Sequence, residues 1–127
     1  MRAIDTNVLV RLVARDAPRQ VDAAEAFVAS GAWVSHLALV EMSWVLASVY
    51  ARSPKQIAAA VETLLEHQQL TLQDEDVVAA ALVRFRRLPR LGFSDCLMLE
   101  VARKAGHLPF GTFDRALSRL DGATRVD

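Results

Sequence analysis

The sequence predicts an α/β fold, with a parallel sheet of about four or five strands and helices on both of its faces. Short apolar runs alternate along the 127 residues with longer segments whose apolar residues recur every three or four positions. Cap and turn residues separate these segments, and no repeat or low-complexity tract interrupts them. A chain of this length fits one compact domain, so we expect a single domain over residues 1–127.

The first half of the chain is predicted to contain two strands and four helices. Residues 2–4 form a short strand that ends at Asp5, and the one-sided apolar spacing of residues 8–13 predicts a helix. Residues 32–34 form a second strand, Ser35 caps a helix over residues 37–50, and Ser53-Pro54 starts another. The remaining helix starts near Pro18 and stops at Gly31, and its apolar face comprises Val21, Ala24, Phe27 and Val28.

The second half repeats the alternation. Residues 70–72 form a third strand, Asp74 begins a helix, and residues 86–92 form a loop because a proline and a glycine break the helical spacing. Ser94 is predicted to cap a helix that ends at Gly106. Residues 108–112 form a fourth strand, in which Pro109 is tolerated near the start. A short helix over residues 115–120 and a strand near 123–126 close the chain.

Composition narrows the class of protein. Hydrophobic residues make up 53% of the chain, so we expect part of them in a subunit or partner interface; a core rich in small alanines is the alternative. A single cysteine excludes an intrachain disulfide, and the acid at position 5 argues against a signal peptide. The longest apolar stretch, residues 37–51, is too short to span a bilayer. These features predict a cytoplasmic protein.

Taken alone, the charge balance argues weakly against a nucleic-acid partner. The chain has 15 basic and 15 acidic residues, whereas nucleic-acid-binding domains usually carry a basic excess. If four carboxylates were neutralised by metal in one pocket, the remaining charge would be 15 − 11 = +4. The balance of charges therefore does not exclude an RNA partner.

Four acidic residues stand out by their positions. Asp5 follows the first strand and Asp114 follows the fourth, at the strand ends where open parallel sheets bind ligands. Asp95 lies at the start of a helix, whose dipole favours anionic groups. Glu41 lies within a helix that is apolar on nearly every side, so burying its carboxylate would require a cation, a hydrogen-bond network or a water-filled cleft.

Each acid also has a purely structural explanation. Asp5 and Asp114 can cap the helices that follow them, and Asp95 can serve the helix dipole. Glu41 can pair with one of the chain's arginines. Any one of these acids alone would favour the structural explanation, and the functional hypothesis depends on all four occurring together.

Oxygen ligands of this kind suit hard divalent cations such as Mg²⁺ or Mn²⁺. Cys96 is the single cysteine, and His36, His67 and His107 show no paired zinc-ligand spacing. A serine nucleophile elbow and a phosphate-binding glycine loop are also missing. Carboxylate chemistry with a hard metal is what remains.

The segment Ile4-Asp5-Thr6-Asn7 resembles the D-T-N signature that opens PIN domains. Glu41, Asp95 and the segment Thr112-Phe113-Asp114 follow in the order and approximate spacing of that family's other acids. The resemblance covers essentially the whole chain, whose length is similar to that of VapC-type toxin ribonucleases from type II toxin–antitoxin systems.

This resemblance implies a metal-dependent endoribonuclease that leaves 5′-phosphate and 3′-hydroxyl products. The four acids would line a pocket for one or two Mg²⁺ or Mn²⁺ ions, with Asp5 and Asp95 as the main ligands and Glu41 and Asp114 completing the site or handling protons. It also implies two protein partners, a second copy in a homodimer and a small antitoxin that blocks the pocket. Four further residues are expected to support the acids or a bound water: Thr6, Asn7, Ser94 and Thr112.

A group of arginines lies near the predicted site in sequence: Arg84, Arg86, Arg87, Arg90 and Arg115. They can grip RNA phosphates. The alternative is a solvated helix end, where cations are favourable at the C-terminus. Trp33 and Trp44 can stack on bases, but their apolar contexts favour core packing, and Cys96 is expected to be a buried small hydrophobe.

A non-catalytic PIN-like RNA-binding or scaffold domain is the alternative function. Such domains commonly lose one or more acids, whereas all four are present here. An aspartyl-phosphate phosphatase would need a second aspartate two residues after Asp5, where this chain has Asn7.

Overall fold

A computed structural model describes the whole chain, residues 1–127, and confirms the α/β prediction. All strand pairings are parallel. Backbone contacts group the chain into two compact units, Met1–Glu75 and Asp76–Asp127, which are described in turn. The elements are β1 (Arg2–Ala3), α1 (Thr6–Ala14), α2 (Pro18–Val28), β2 (Ala32–Val34), α3 (His36–Ser48), α4 (Pro54–Glu66), β3 (Leu70–Leu72), α5 (Glu75–Arg87), α6 (Phe93–Ala105), β4 (Phe110–Thr112), α7 (Arg115–Ser118) and β5 (Ala123–Arg125).

The first unit is built on a three-stranded sheet with the order β1-β2-β3. In β2 and β3 the first and last side chains of each strand are buried, whereas Trp33 and Thr71 between them are exposed. Trp33 retains 36% of its surface, so the prediction that it packs in the core is wrong. Alternation along a strand sends neighbouring side chains to opposite faces, and the face that carries Trp33 is the open one. The largest fully buried side chains of the unit are Leu9, Val34, Leu39, Met42, Leu46, Val61 and Leu64.

Several predicted helix boundaries are confirmed. Ser35 Oγ accepts a hydrogen bond from the Ala38 amide at 3.1 Å and so caps α3. Ser53 and Gln56 form a reciprocal capping box at the start of α4. Gly106 caps the end of α6 with a φ angle of 84°, a left-handed backbone that glycine adopts at low cost. The predicted stop at Gly31 is late, because α2 already ends at Val28 with Ala29 as its cap.

Two helices of the first unit expose apolar side chains that the sequence predicted to be buried. On α2, Val21, Ala24 and Val28 are buried, but Phe27 is 37% exposed. On α3, Trp44 is 57% exposed, so its predicted core packing is also wrong. The helix α3 is apolar all round, and only the side that carries Leu39 packs against the interior. Its other apolar side chains are therefore left on the surface.

The second unit contains a two-stranded parallel sheet, β4-β5, together with α5, α6 and α7. The five predicted strands are thus present, but they are hydrogen-bonded as three and two. Phe85 and Phe93 pack edge to face in this unit, with ring centroids 6.0 Å apart. Cys96 is fully buried, as predicted, and burial raises the pKa of its thiol to about 11. The thiol therefore stays protonated at neutral pH and acts as a small hydrophobe.

Glu100 is a buried acid on α6 and retains only 5% of its surface. Arg103 Nε donates to Glu100 Oε2 at 2.8 Å, and Arg84 Nε lies 3.5 Å from Oε1. Both carboxylate oxygens therefore face a guanidinium group, which offsets the cost of burying the charge. Since Arg84 lies on α5, the pair also ties α5 to α6.

None of the helices combines the length and the apolar character needed to cross a membrane.

We expect Glu100→Gln to lower the free energy of unfolding by about 3 kcal/mol, because it leaves two partly buried guanidinium groups without their counter-charge. Urea denaturation measures this change. The matched control is Glu25→Gln in the exposed Arg15–Glu25 pair, which should cost less than about 1 kcal/mol. Equal destabilisation of the two variants would contradict a structural role for the buried pair.

Candidate functional site

Asp5 lies between β1 and α1, at the carboxyl end of the strand. Its backbone is extended, and its Oδ1 accepts a hydrogen bond from the Val8 amide at 3.1 Å, so it caps α1. The capping explanation is therefore correct. The second oxygen, Oδ2, accepts no hydrogen bond within the chain, and the side chain is exposed. One carboxylate oxygen thus serves the helix and the other remains available to a ligand.

Thr6 connects the start of α1 to α3. Its hydroxyl donates to Glu41 Oε1 at 3.2 Å. This hydrogen bond joins two of the residues predicted for the site, and one of them, Thr6, directly follows a further predicted residue, Asp5. Asn7, the last residue of the predicted signature, is exposed on the first turn of α1.

Glu41 is exposed, so its carboxylate does not need the cation or enclosed network that burial in an apolar helix would have required. It lies on the outward side of α3 with Leu37 and Trp44, four residues before it and three after it. No arginine pairs with it, so the predicted structural alternative is wrong. Glu41 Oε2 accepts no hydrogen bond within the chain. Its carboxylate therefore keeps one oxygen free while the Thr6 hydroxyl holds the other.

Asp95 lies in the first turn of α6 in the second unit and is partly exposed. The helix dipole favours a carboxylate at this position. The predicted cap, Ser94, is itself inside the helix, and the N-cap is Gly92, which has no side chain to donate or accept. The helix begins earlier than predicted because Phe93 packs its ring into the unit's core.

Asp114 closes β4 and caps α7 in the same unit. Its Oδ1 accepts from the Leu117 amide at 2.8 Å, and its own amide donates to Thr112 Oγ1 at 3.0 Å. Thr112, a predicted supporting residue, thus fixes the backbone of Asp114. As at Asp5, one oxygen is used by the helix and the side chain is exposed.

The predicted RNA-contact arginines differ in their environments. Arg84 is partly buried and pairs with Glu100, so its charge is already compensated. Arg87 and Arg90 are exposed near the end of α5, Arg86 lies beside them, and Arg115 is exposed at the start of α7.

Within the first unit the structure therefore joins Thr6, the sequence neighbour of Asp5, to Glu41 through one hydroxyl. Within the second it joins Thr112 to Asp114. No group of three or more His, Cys, Asp or Glu side chains is placed to hold a metal ion. The candidate ligand atoms are nonetheless all carboxylate or hydroxyl oxygens, which are the ligands that hard divalent cations prefer.

A cavity of about 380 Å³ also adjoins Asp5 and Asn7 in the first unit. Its other walls include Arg11, Gln20 and Phe27, none of which the sequence singled out as a site residue. The apolar spacing of α2 assigned Phe27 to the core, and no local pattern marked the two polar residues. Only the packing of α1 beside α2 reveals this cavity.

The contribution of Asp5 to stability as a helix cap can be measured separately from the contribution of its charge. Asparagine caps helices about as well as aspartate, so Asp5→Asn should leave the free energy of unfolding within a few tenths of a kcal/mol, whereas Asp5→Ala should lower it by about 1 kcal/mol. Urea denaturation of the two variants gives the comparison. Equal destabilisation would show that the carboxylate does not act as a cap, and equal stability would show that the cap contributes nothing.

Comparison with known proteins agrees with the N-terminal signature. The PIN domain family matches residues 3–123 of the chain. None of the curated proteins matches it. PIN domains are generally nucleases, and they usually use divalent metal ions. The match covers nearly the whole sequence, and the chain therefore belongs to the PIN domain family.

Proposed function

We propose that this chain is a Mg²⁺- or Mn²⁺-dependent endoribonuclease and the toxin component of a toxin–antitoxin pair. The observation that carries the proposal is the hydrogen bond from Thr6 to Glu41, which ties one candidate acid to the residue that directly follows another, Asp5. Membership of the PIN domain family supports nuclease chemistry at the coarse level. The order and approximate spacing of the four acids support the toxin subtype.

The donor set fits a hard divalent ion. We propose that Asp5 and Asp95 are the main ligands, and that Asp114 and Glu41 complete the site. When bound, such an ion supplies Lewis acidity, which acidifies water and offsets the negative charge that develops on the phosphate. Asp5 Oδ2 is suited to this role because it has no competing partner in the chain.

The chain's own residues then handle the proton. Hydrolysis requires a water oxygen to bond to phosphorus, the bond from phosphorus to the 3′ oxygen to break, and the water to lose a proton. Glu41 is the proposed base, because Thr6 fixes Oε1 and leaves Oε2 free to accept that proton. The leaving 3′ oxygen takes a proton from solvent, giving a 3′-hydroxyl and a 5′-phosphate. Thr6 is a positioning residue in this scheme.

We expect Asp5→Asn and Asp95→Asn each to reduce cleavage of end-labelled RNA at least about a hundredfold, because each removes charge that stabilises the transition state. The assay compares Mg²⁺, Mn²⁺ and chelator, and it identifies the product ends. The control is Asp22→Asn, an exposed aspartate on α2 with no assigned role. Asp5→Asn is the informative variant because it keeps the helix cap.

Two outcomes would contradict the nuclease. Cleavage that persists in both variants would remove Asp5 and Asp95 from the chemistry. Binding of RNA without any cleavage or metal binding would favour the alternative, a non-catalytic PIN-like RNA-binding or scaffold domain.

The exposed arginines are the proposed contacts to RNA phosphates: Arg86, Arg87, Arg90 and Arg115. Arg84 is the weakest candidate among the predicted arginines, because Glu100 already compensates its charge. Positive charge at the C-terminal end of α5 also interacts favourably with the helix dipole. Binding measurements are therefore needed to separate RNA contact from helix stabilisation.

We expect Arg87→Glu combined with Arg90→Glu to weaken RNA binding and to flatten its dependence on salt, by about 0.7 in the logarithmic slope for each phosphate that is no longer neutralised. Fluorescence anisotropy across a salt series measures both quantities. A control with the same change in net charge is Arg19→Glu with Lys55→Glu, two exposed cations of the first unit. If RNA binding by both double variants had the same dependence on salt, the effect would come from net charge alone and not from contacts at Arg87 and Arg90.

We also propose a homodimer and a cognate antitoxin as protein partners. Exposed apolar side chains on α3 support an interface there, chiefly Leu37, Trp44 and, just after the helix, Val49. A monomeric mass at every concentration in light scattering would contradict the dimer. Normal growth of cells that express the active nuclease would contradict the toxin.

A further inference from the structure

The cavity beside Asp5 has the size and lining of a small-ligand site. Its volume of about 380 Å³ lies within the range of about 300–1,000 Å³ that is usual for such sites. Asp5 caps helix α1, which contributes Asn7 and Arg11, and helix α2 contributes Gln20 and Phe27. Arg11, Gln20 and Phe27 have no role in the proposed hydrolysis.

The only cation in the wall, Arg11, is already compensated. Its Nη1 donates to Asp16 Oδ1 at 3.3 Å and to the Tyr50 hydroxyl at 3.0 Å, and its Nε donates to Gln20 Oε1. The Tyr50 hydroxyl in turn donates to Asp16 Oδ2 at 2.9 Å, which lowers the pKa of that carboxyl. Because Arg11 is paired and Asp5 is anionic, the cavity disfavours a phosphate and suits a neutral group.

The same hydrogen bonds orient a polar edge. With Oε1 of Gln20 taken by Arg11, its amide nitrogen has two donors and no partner in the chain. Asn7 makes no side-chain hydrogen bond within the chain, so it offers both a donor and an acceptor. Arg11 thus fixes which end of the Gln20 amide is available.

The apolar wall includes an aromatic ring held in place by Arg2. The Arg2 guanidinium lies over the Phe27 ring at 3.7 Å from its centroid, and its Nη2 donates to the Phe27 carbonyl at 2.8 Å. Phe27 nevertheless keeps 37% of its surface exposed. A planar heterocycle with hydrogen-bonding edges matches both walls, since unpaired bases bind proteins by stacking on aromatic rings and by contacts to their edges.

We propose that this cavity is a nucleobase subsite, which holds an unpaired base of the RNA strand next to the phosphate at Asp5. The inference rests on the proposed function and extends it to the substrate class: the cut lies at a loop, bulge or single strand, because a base stacked within a duplex cannot enter the cavity.

Binding is measured without metal, so that it does not depend on cleavage. The isotope-labelled chain is titrated with each of the four ribonucleoside 5′-monophosphates in the presence of a chelator, and with ribose 5-phosphate as the ligand that lacks a base. The side-chain amide resonances of Asn7 and Gln20 report on the cavity. We expect the nucleotides to shift both resonances and ribose 5-phosphate to shift neither.

Variants test the two walls. We expect Phe27→Leu to weaken nucleotide binding about tenfold, the lower part of the range for loss of one stacking partner. Gln20→Ala removes a hydrogen bond to the base edge and should weaken it by about the same factor. Gln68→Ala, an exposed glutamine, and Trp33→Leu, an aromatic of almost equal exposure at 36%, should bind as the unchanged chain does. Thermal denaturation of each variant checks that it folds.

Three results would overturn the subsite. They are equal shifts with ribose 5-phosphate, undiminished binding by folded Gln20→Ala and Phe27→Leu, and no shift with any nucleotide or with an unpaired hexaribonucleotide. The absence of any shift would indicate that the cavity instead holds a side chain of a protein partner. Cleavage that depends on Asp95 but not on Phe27 would keep the nuclease and reject the subsite, whereas base-dependent shifts in a chain that cuts no RNA would do the reverse.

Discussion

The hydrogen bond from the Val8 amide to Asp5 Oδ1 is the interaction on which the arrangement of Asp5 and the residues that follow it depends. It stabilises the first turn of α1 directly after β1, and that turn carries Thr6 and Asn7. Thr6 then reaches α3 and holds Glu41. A carboxylate has two oxygens, and the cap uses only one, so the structural and chemical roles of Asp5 do not compete. The cap raised as the structural alternative for Asp5 therefore also holds, in a fixed orientation, the carboxylate that we propose as a metal ligand.

Glu41 illustrates a different constraint. A helix that is apolar on every side usually belongs in a core, yet the outward side of α3 exposes Leu37, Glu41 and Trp44. Since Glu41 is not desolvated, it needs no buried counter-charge, and a neutral hydroxyl is sufficient to orient it. Apolar residues around an exposed acid suit a surface that a ligand or a second protein covers.

The sequence predicted the features that depend on neighbouring residues. The caps at Ser35 and Ser53, the stop at Gly106 and the positions of Asp5 and Asp114 after strands are all local, and the structure confirms them. Features set by packing were missed. Phe27 follows the helical spacing of its buried neighbours but faces a cavity, Gly92 rather than Ser94 is the cap because Phe93 is drawn into the core, and the strands pair as three and two. The sequence did not single out Arg11 or Gln20, because their role depends on the hydrogen bond between them, which only the folded structure shows.

The zero formal charge of the chain constrains how it can hold RNA. Ion pairs within the chain compensate several cations, among them Arg11 with Asp16 and both Arg84 and Arg103 with Glu100. The proposed phosphate contacts are then a few arginines at the end of α5 together with Arg115 of α7, and affinity from counterion release is correspondingly small. Stacking and base-edge contacts do not release counterions, so a chain with this charge balance gains more from a base-binding cavity than from further phosphate contacts. If the cavity beside Asp5 binds a base as proposed, it would supply affinity as well as selectivity for unpaired nucleotides, and binding would depend only weakly on salt.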